Sequence, residues 1–205
     1  MEPLFSGLLQ NGTGWIALRA DEVYTCFPLT DSEEARARRF RVEADRLAFV
    51  AGRNLIRQAL SGWMRVDAVP LEIDDLGKPF CPLPNAPHFN LSHAGGWMAL
   101  AMSLQGPVGI DLEDITRQVD LQKLSARYFS EAEQEALAQG NGMTFFEIWT
   151  RKEAWLKAAG TGIRVPLKDT DTLTASGIHF QTFTPAPGII GCVAVLLSPT
   201  SNVHF

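Results

Sequence analysis

The strongest constraint on the fold is a helical pattern that runs from residue 145 to residue 159. At roughly 100° per residue, its large apolar side chains fall on one stripe of a helix. The stripe consists of Phe145, Ile148, Trp149, Leu156 and Ala159. Gly160 follows directly and predicts the end of the helix. The helix is therefore amphipathic, and its stripe marks the side that faces a core.

Three charged residues of this helix do not lie on the face opposite the stripe. Lys152 falls near the middle of the stripe, where a lysine is costly unless it is paired or its ammonium group reaches water. We expect Lys152 to be a structural or ligand-facing cation. Glu153 and Lys157 lie along one edge of the stripe, where a cleft would be lined. The alternative for this pair is an ordinary ion pair one turn apart, worth about 0.3–0.5 kcal/mol.

A second segment, residues 108–113, supplies two more carboxylates. It reads as a strand, on which Asp111 and Glu113 point to one face, about 6.5 Å apart. Neighbouring acids repel each other, and a bound Mg²⁺ would relieve that repulsion. If Glu153 and Lys157 meet this strand in space, the three acids and one base suit a hard divalent cation that holds phosphate oxygens. The alternative is a solvated strand face that ends at a turn.

The rest of the chain alternates strand and helix patterns. Further strands are predicted at Trp15–Arg19, His88–Leu91, Met98–Met102, Ile178–Phe183 and Ile189–Leu197. Two helices are predicted after the capping boxes Thr30/Glu33 and Ser130/Glu133, and the second should end at Gly140–Gly142. A third helix is predicted over Asp45–Leu60, with Leu47 on its apolar face and an end at Ser61–Gly62. Asp74–Pro87 is expected to be loop. This order predicts an α+β fold of two halves, residues 1–105 and 106–205, which meet near Gln105–Pro107.

Composition excludes several classes of protein. The net charge of −5 argues against general nucleic-acid binding by a basic surface. No apolar run approaches the length of a membrane span, and the first ten residues do not resemble a signal peptide, so we expect a cytoplasmic protein. Cys26, Cys81 and Cys192 lack metal-ligand spacing and are expected to be reduced and mostly buried.

Other residues suit an anionic ligand. Ser92 and His93 end a strand and run into Gly95 and Gly96, where side chains and backbone N–H groups can bind phosphate oxygens. The alternative is a turn with a satisfied histidine. Arginines also gather on and before the 45–60 helix: Arg36, Arg38, Arg39, Arg46, Arg53 and Arg57. Such a run is usually a solvated face, but it also fits a local basic groove for a small polyanion.

In this order, the segments resemble the 4′-phosphopantetheinyl transferases of the Sfp type. The matching segments are Gly77–Pro79, Phe89–Gly95, Val108–Glu113 and Trp149–Lys157, with weaker similarity over Arg38–Arg57 and Arg127–Ser130. One departure is Ala48, where family members often carry a basic residue; Arg46 or Arg53 would compensate.

The resemblance implies a monomer built as a pseudo-twofold pair of similar α+β halves packed together, with coenzyme A between them. It implies Mg²⁺-dependent transfer of 4′-phosphopantetheine to a serine of an acyl or peptidyl carrier protein, with release of adenosine 3′,5′-bisphosphate. The residues implied for Mg²⁺ are Asp111, Glu113 and Glu153, and those implied for coenzyme A are Arg46, Arg53, Lys78, Ser92, His93 and Lys157. The implied catalytic residues are Asp111, Glu153, which would accept the serine proton directly or through a metal-bound water, and Lys157, which would offset phosphoryl charge.

The carrier would meet an apolar patch with basic neighbours at Leu121–Arg127 and Arg151, although an ordinary loop surface is an equal expectation there. Two rival functions would use the same acids. One is a Mg²⁺-dependent nucleotide phosphoesterase that activates water. The other is a non-catalytic coenzyme A-binding protein, against which the intact acids and Lys157 argue.

Overall fold

The computed structural model describes residues 5–9, 12–67, 69–140, 143–160 and 166–197, and these form the expected α+β fold. The strands are β1 (Phe5–Leu9), β2 (Thr13–Arg19), β3 (Glu72–Ile73), β4 (Pro79–Phe80), β5 (His88–Ala94), β6 (Trp97–Ser103), β7 (Val108–Asp114), β8 (Ile178–Ala186) and β9 (Ile189–Leu196). The helices are α1 (Asp31–Ala37), α2 (Glu43–Met64), α3 (Leu121–Tyr128), α4 (Glu131–Ala138) and α5 (Phe145–Ala159).

The first sheet is antiparallel and has the strand order β1-β2-β6-β5. A tight turn at Gly95 and Gly96 joins β5 to β6, and both glycines have positive φ values of 55° and 78°, which a Cβ would disfavour. Helix α2 covers this sheet. Its residues Ile56 and Leu60 are almost fully buried in the cluster that includes β6. This packing fixes β5, whose end carries two of the candidate residues.

The second sheet has the order β7-β9-β8, so the apolar strand β9 is central, as predicted. Helix α5 lies against this sheet and has the bounds that its periodicity predicted, with Gly160 in the left-handed region (φ 66°) after its end. The contact with β7 is very close at Gly109, where an added Cβ would lie 2.0 Å from the backbone oxygen of Ala154. Because residue 109 has no side chain, α5 can approach the strand that carries Asp111.

Side chains, rather than a backbone ladder, join β5 to β7. These are outer strands of the two sheets. Asn90 Oδ1 accepts a hydrogen bond from the backbone N–H of Ile110 at 2.9 Å. Ser92 Oγ accepts one from the backbone N–H of Leu112 at 3.2 Å. The end of β5 is therefore fixed against the acidic strand.

The two sheets also share an apolar core. Trp15 of β2 stacks on Phe183 of β8 with 4.0 Å between ring centroids, and its indole N–H donates to Gln181 Oε1 at 3.2 Å. Buried residues from both sheets surround this pair: Ala17, Ala99, Ala101, Val108, Ile110, Leu112, Ile189, Val193 and Val195. Residues on both sides of Gln105–Pro107 thus contribute to one core, and a division into halves at that point stays a prediction.

Some predicted boundaries are wrong. Helix α2 continues through Ser61 and Gly62 to Met64, because a helix tolerates one glycine at a cost of about 1 kcal/mol. Leu47, expected on the buried face of that helix, is 52% exposed because it precedes the part that covers the sheet. Strand β4 interrupts the run expected to be loop, where Phe80 pairs with Glu72.

Gly140, with φ 64°, follows α4 as expected, whereas Asn141 and Gly142 lie outside the described residues. Cys26, Cys81 and Cys192 are free thiols, but only Cys192 is buried, so the expectation of mostly buried thiols is wrong. Within the described residues, no helix is long and apolar enough to cross a membrane.

Candidate functional site

Strand β7 carries the first two acids of the site, Asp111 and Glu113. Asp111 is only 5% exposed, and its Oδ1 accepts hydrogen bonds from Lys157 Nζ at 2.6 Å and Ser92 Oγ at 3.2 Å. Its Oδ2 is buried and has no hydrogen-bond partner among the described residues. Glu113 accepts a hydrogen bond from Trp149 Nε1 at 2.8 Å. Both acids therefore face helix α5.

Helix α5 presents Trp149, Glu153 and Lys157 at intervals of one turn. Helix α5 runs antiparallel to β7, since Trp149 contacts Glu113 and Lys157 contacts Asp111. The alternative of an isolated Glu153–Lys157 ion pair is therefore wrong. Lys157 pairs with Asp111, and Glu153 has no ion-pair or hydrogen-bond partner among the residues that the structure describes.

The three carboxylates affect one another electrostatically. Burial raises the pKa of Glu113, and repulsion by Asp111 raises it further, although neighbouring cations and an indole N–H oppose the rise. Burial and repulsion by Asp111 also raise the pKa of Glu153, which Lys157 offsets in part. The site thus concentrates negative charge in a half-buried setting, which a bound cation would stabilise.

The donor set fits a divalent metal ion. Carboxylate oxygens are the ligands that Mg²⁺ prefers, and the buried Oδ2 of Asp111 is an oxygen that its described neighbours leave unused. Within the described residues, no group of three or more His, Cys, Asp or Glu forms a ready metal cage. Lys157 and Arg117 instead pair with the carboxylates at 2.6 and 2.7 Å. A metal site at Asp111, Glu113 and Glu153 therefore stays a prediction.

Two residues predicted to bind phosphate lie beside these acids. Lys78 Nζ donates to the backbone oxygen of Lys157 at 2.9 Å, and burial lowers the pKa of Lys78 despite the opposing charge of Asp74. Ser92 is buried, and its Oγ contacts both Asp111 and Lys157. The structure therefore brings Ser92 into contact with Asp111 and Lys157, and Lys78 into contact with the helix that carries Glu153.

A cleft of about 530 Å³ opens next to this cluster, between α2 and the end of β5. It is lined by Lys78 and His93, together with Arg36 and Arg53. A second cleft of about 680 Å³ shares His93 with the first in its lining. Ala48 lines both clefts, so the basic side chain common in the family would project into this space.

Not all the arginines of α2 lie on a solvated face. Arg53 and Arg57 are buried, and both pair with Glu33 of α1, at 3.3 and 2.8 Å. Burial lowers the pKa of Arg53, against the opposing effect of Glu33. Arg46 is more exposed, pairs with Glu43 at 2.5 Å, and is absent from the described linings of both clefts. The interpretation as a solvated face is wrong for Arg53 and Arg57 because a helix distant in sequence supplies their counter-charge.

Lys152 is a structural cation. It is fully buried, and its Nζ pairs with Glu133 Oε2 at 2.6 Å. The same ammonium group donates to the backbone oxygens of Leu167, at 2.8 Å, and Thr170. Burial lowers the pKa of Lys152, and Glu133 opposes that change. These contacts tie α5 to α4 and to the segment that precedes β8, and all of them are to protein groups.

The sequence motifs did not identify two contacts of Glu113. Arg117 pairs with its Oε2 at 2.7 Å, and Trp149 donates to its Oε1. Arg117 lies four residues after Glu113, a spacing that does not bring side chains together on a strand, but the chain turns after Asp114. Trp149 lies four residues before Glu153, which places both on one helix face. The sequence could therefore have predicted that Trp149 lies near the acids.

The surface suggested for a carrier protein is a helix, not a loop. Helix α3 has no fully buried residue; Leu121 is 40% exposed, and Arg127 is also exposed. The side chain of Asp120 accepts a hydrogen bond from the N–H of Lys123 and caps the helix. Arg151 instead lies over the ring of Phe180 in β8, 5.9 Å from its centroid.

Comparison with known proteins agrees with this arrangement. Residues 107–191 match the 4′-phosphopantetheinyl transferase superfamily, and residues 14–105 match the 4′-phosphopantetheinyl transferase N-terminal family. The chain is 37% identical over 185 residues to 4′-phosphopantetheinyl transferase HetI from Nostoc sp., covering 82% of this chain and 78% of that protein. It is 34% identical to a phosphopantetheinyl transferase from Thraustochytrium sp. and 32% identical to 4′-phosphopantetheinyl transferase Sfp from Bacillus subtilis. Those two matches cover 73% and 68% of this chain, but only 59% and 63% of the relatives.

Proposed function

Because this chain belongs to the 4′-phosphopantetheinyl transferase superfamily, we propose that it transfers 4′-phosphopantetheine from coenzyme A to a serine hydroxyl of an apo carrier protein. The other product is adenosine 3′,5′-bisphosphate. The observation that carries this proposal is the contact between Lys157 of α5 and Asp111 of β7, which puts an ammonium group among three carboxylates. This cluster adjoins a cleft lined by Lys78 and His93, of a size suited to a nucleotide.

Asp111, Glu113 and Glu153 would hold Mg²⁺. The unused Oδ2 of Asp111 and the raised pKa values of the two glutamates support this assignment, because each is a property that a bound cation would relieve. When bound, Mg²⁺ supplies positive charge that neutralises the pyrophosphate and stabilises the leaving bisphosphate.

Glu153 would accept the proton of the carrier serine. As the serine Oγ bonds to the phosphorus of the phosphopantetheine group, the bond from that phosphorus to the bisphosphate oxygen breaks, and the serine proton passes to the Glu153 carboxylate. Two properties support this role: the raised pKa of Glu153 and its lack of a partner among the described residues. Lys157 would offset negative charge on the transferred phosphoryl group.

Coenzyme A would bind with its nucleotide end in the 530 Å³ cleft. Lys78, His93 and Arg53 line this cleft and would contact the phosphates and the nucleotide, and Ser92 would reach the phosphate from the end of β5. We add Arg36, which lines the same cleft. For Arg46, which pairs with Glu43, a role in coenzyme A binding stays a prediction.

The carrier would be an acyl or peptidyl carrier protein that docks on α3. Leu121 supplies exposed apolar surface there, and the exposed side chains of Lys123 and Arg127 supply positive charge. Docking of a folded partner on one face is compatible with a monomer. That the transferase is a monomer and acts in the cytoplasm is part of the proposal.

The test is mass spectrometry of apo carrier proteins after incubation with the protein, coenzyme A and Mg²⁺. Fatty-acid, polyketide and peptide carriers should be compared, since they share the acceptor serine and differ in surface. We expect at least one carrier to gain one phosphopantetheine, and we expect excess EDTA and the variant Asp111→Asn to prevent the gain.

The rival functions predict different products. A phosphoesterase would degrade coenzyme A in the same incubation and leave every carrier unmodified. A binding protein would leave both coenzyme A and the carriers intact. Either result would contradict the proposed transfer.

A further inference from the structure

Trp149 is the member of the α5 row to which the proposed reaction gives no role. Its indole N–H donates to Glu113 Oε1 at 2.8 Å. The side chain of Glu113 is only 12% exposed, so this contact is made in a sheltered position. The indole is thus the one neutral group in a row that otherwise presents the carboxylate of Glu153 and the ammonium of Lys157.

Aromatic side chains hold the Trp149 ring in place. Phe145 stacks on it at 5.7 Å with an interplanar angle of 16°. Tyr128 meets it edge-on at 5.6 Å, and Phe129 lies 6.5 Å away. Such contacts on several sides restrict rotation of the indole, so the direction of its N–H is fixed before any ligand binds.

The two oxygens of Glu113 therefore have unlike partners. Oε1 is bound by the indole N–H of Trp149, which is half-buried and packs against the cluster of Phe129 and Phe145. Oε2 is bound by Arg117, whose side chain is 46% exposed and can turn toward solvent. One oxygen is thus fixed to the helix, and the other is held by a surface cation that another cation can replace.

We propose that Trp149 is a positioning residue: its indole N–H fixes the rotamer of Glu113 so that Oε2 faces the metal ion once Arg117 releases it. The inference rests on the proposed function, which places Mg²⁺ at Asp111, Glu113 and Glu153. Hydrogen bonds to ligating side chains set their orientation, and losing one typically costs about 10–100-fold in metal affinity or activity.

The test compares Trp149→Phe with Trp155→Phe, the same substitution on the same helix. Phenylalanine preserves a ring in the aromatic cluster but removes the N–H donor. The ring of Trp155 instead packs edge-on against Phe180, 6.1 Å away. With coenzyme A present, calorimetric titration with Mn²⁺ should give a Kd about tenfold higher for Trp149→Phe than for the wild type and for Trp155→Phe. Transfer at saturating Mn²⁺ should recover to within about threefold of the wild-type kcat.

A Kd for Trp149→Phe within about twofold of wild type would overturn the inference, while carrier loading by the wild type would leave the proposed function standing. The inference is also overturned if the kcat of Trp149→Phe falls and saturating Mn²⁺ does not restore it, since this result indicates that Trp149 has a structural role only. A wild-type protein that neither binds Mn²⁺ nor loads carriers would overturn both.

If Trp149→Phe does not fold, the wild-type indole N–H resonance provides a second measurement. The Trp155 and Trp15 signals are identified by their loss in Trp155→Phe and Trp15→Phe. The indole N–H of Trp15 also donates a hydrogen bond, to Gln181, so the Trp149 signal is the hydrogen-bonded resonance that both variants keep. Adding Mg²⁺ with coenzyme A should move the Trp149 resonance and leave that of Trp155 in place. An unmoved Trp149 resonance would contradict the proposal.

Discussion

At the scale of single residues, Glu153 is held in a setting that opposes its own ionisation. It is half-buried, Asp111 repels its charge, and Lys157 offsets these effects only in part, without a hydrogen bond or close ion pair to Glu153 among the described residues. A carboxylate in this position lowers the stability of the protein without its ligand. A functional role explains such an unfavourable carboxylate, since active sites often lower the stability of the fold that holds them.

We therefore expect Glu153→Gln to lower transfer and raise stability. Loss of a general base should reduce kcat by about 10²–10⁴-fold. Because the pKa of Glu153 is raised above its ordinary value of 4.5, the folded state binds this proton more tightly than the unfolded state does. Stability conferred at this position thus falls as pH rises through the interval between the two pKa values. Glutamine does not ionise and avoids that loss.

Thermal unfolding in EDTA measures this effect. The Tm of Glu153→Gln should exceed that of the wild type at neutral pH, and the difference should shrink as the pH is lowered toward the ordinary glutamate pKa. A Tm difference that is absent or independent of pH would contradict the assignment of an unfavourable charge.

Single residues also differ in how much their sequence context reveals. Spacing alone put Asp111 and Glu113 on one strand face and Glu153 and Lys157 on one helix edge, because strand and helix periodicities are local. The expectation that the two elements share a site came from the family resemblance. The burial of Arg53 did not follow from periodicity, since the charge that pairs with it comes from Glu33 on another helix. Pairing across distant parts of the chain is a property of the packed fold, and no local pattern encodes it.

At the scale of elements, the approach of α5 to β7 sets the position of the side chains proposed to be catalytic. We expect Gly109→Ala to reduce kcat by at least tenfold and to lower the free energy of unfolding by about 1–3 kcal/mol, because the new methyl group meets backbone atoms of α5. The helix must move away, and Lys157 moves with it. Carrier loading and urea denaturation measure both effects.

The matched control is Gly62→Ala, which adds the same methyl group within α2, where nothing lies within 4 Å. Alanine is favoured over glycine inside a helix by about 0.5–1 kcal/mol, so this variant should be slightly more stable and fully active. Equal behaviour of the two variants would show that the close contact at residue 109 has no functional effect.

The buried ion pair of Lys152 and Glu133 ties α5 to α4. We expect Lys152→Met to lower the free energy of unfolding by about 3–5 kcal/mol, because Glu133 would remain buried without its counter-charge. Lys123→Met, on the exposed face of α3, should leave stability nearly unchanged. Urea denaturation followed by circular dichroism checks both variants, and similar midpoints for the two would contradict the structural role of Lys152.

Elements with strong periodicity were predicted well. The bounds of α5 followed from its stripe and from Gly160, and β9 followed from its continuous apolar run. Helix α3 was missed because it has only eight residues and begins without a capping box, although Leu124 and Tyr128 pack against the cluster around Phe129. The extension of α2 past Gly62 was missed because a single glycine ends some helices and is tolerated in others.

At the scale of the whole molecule, the two sheets unfold as one unit if their common core is the main source of stability. We expect Trp15→Ala to lower the free energy of unfolding by about 3–5 kcal/mol, since it removes the stack on Phe183 from the centre of that core. Calorimetry should still show one transition, shifted to lower temperature.

Trp63→Ala, near the end of α2, is the control, because that side chain is 40% exposed. It should shift the transition much less. Two separate transitions in Trp15→Ala, one at the wild-type temperature, would show that the halves 1–105 and 106–205 unfold independently and would contradict the single unit.

The hydrogen bonds from Asn90 and Ser92 to β7 also bear on how this molecule behaves at high concentration. Unpaired N–H groups along the rim of a sheet are a template on which another chain can add a strand, which leads to aggregation. Here the two exposed rims face each other, and the side chains of Asn90 and Ser92 occupy the N–H groups of Ile110 and Leu112. The arrangement that assembles the site thus also protects one edge of each sheet, that of β5 and that of β7, from pairing with a neighbouring molecule.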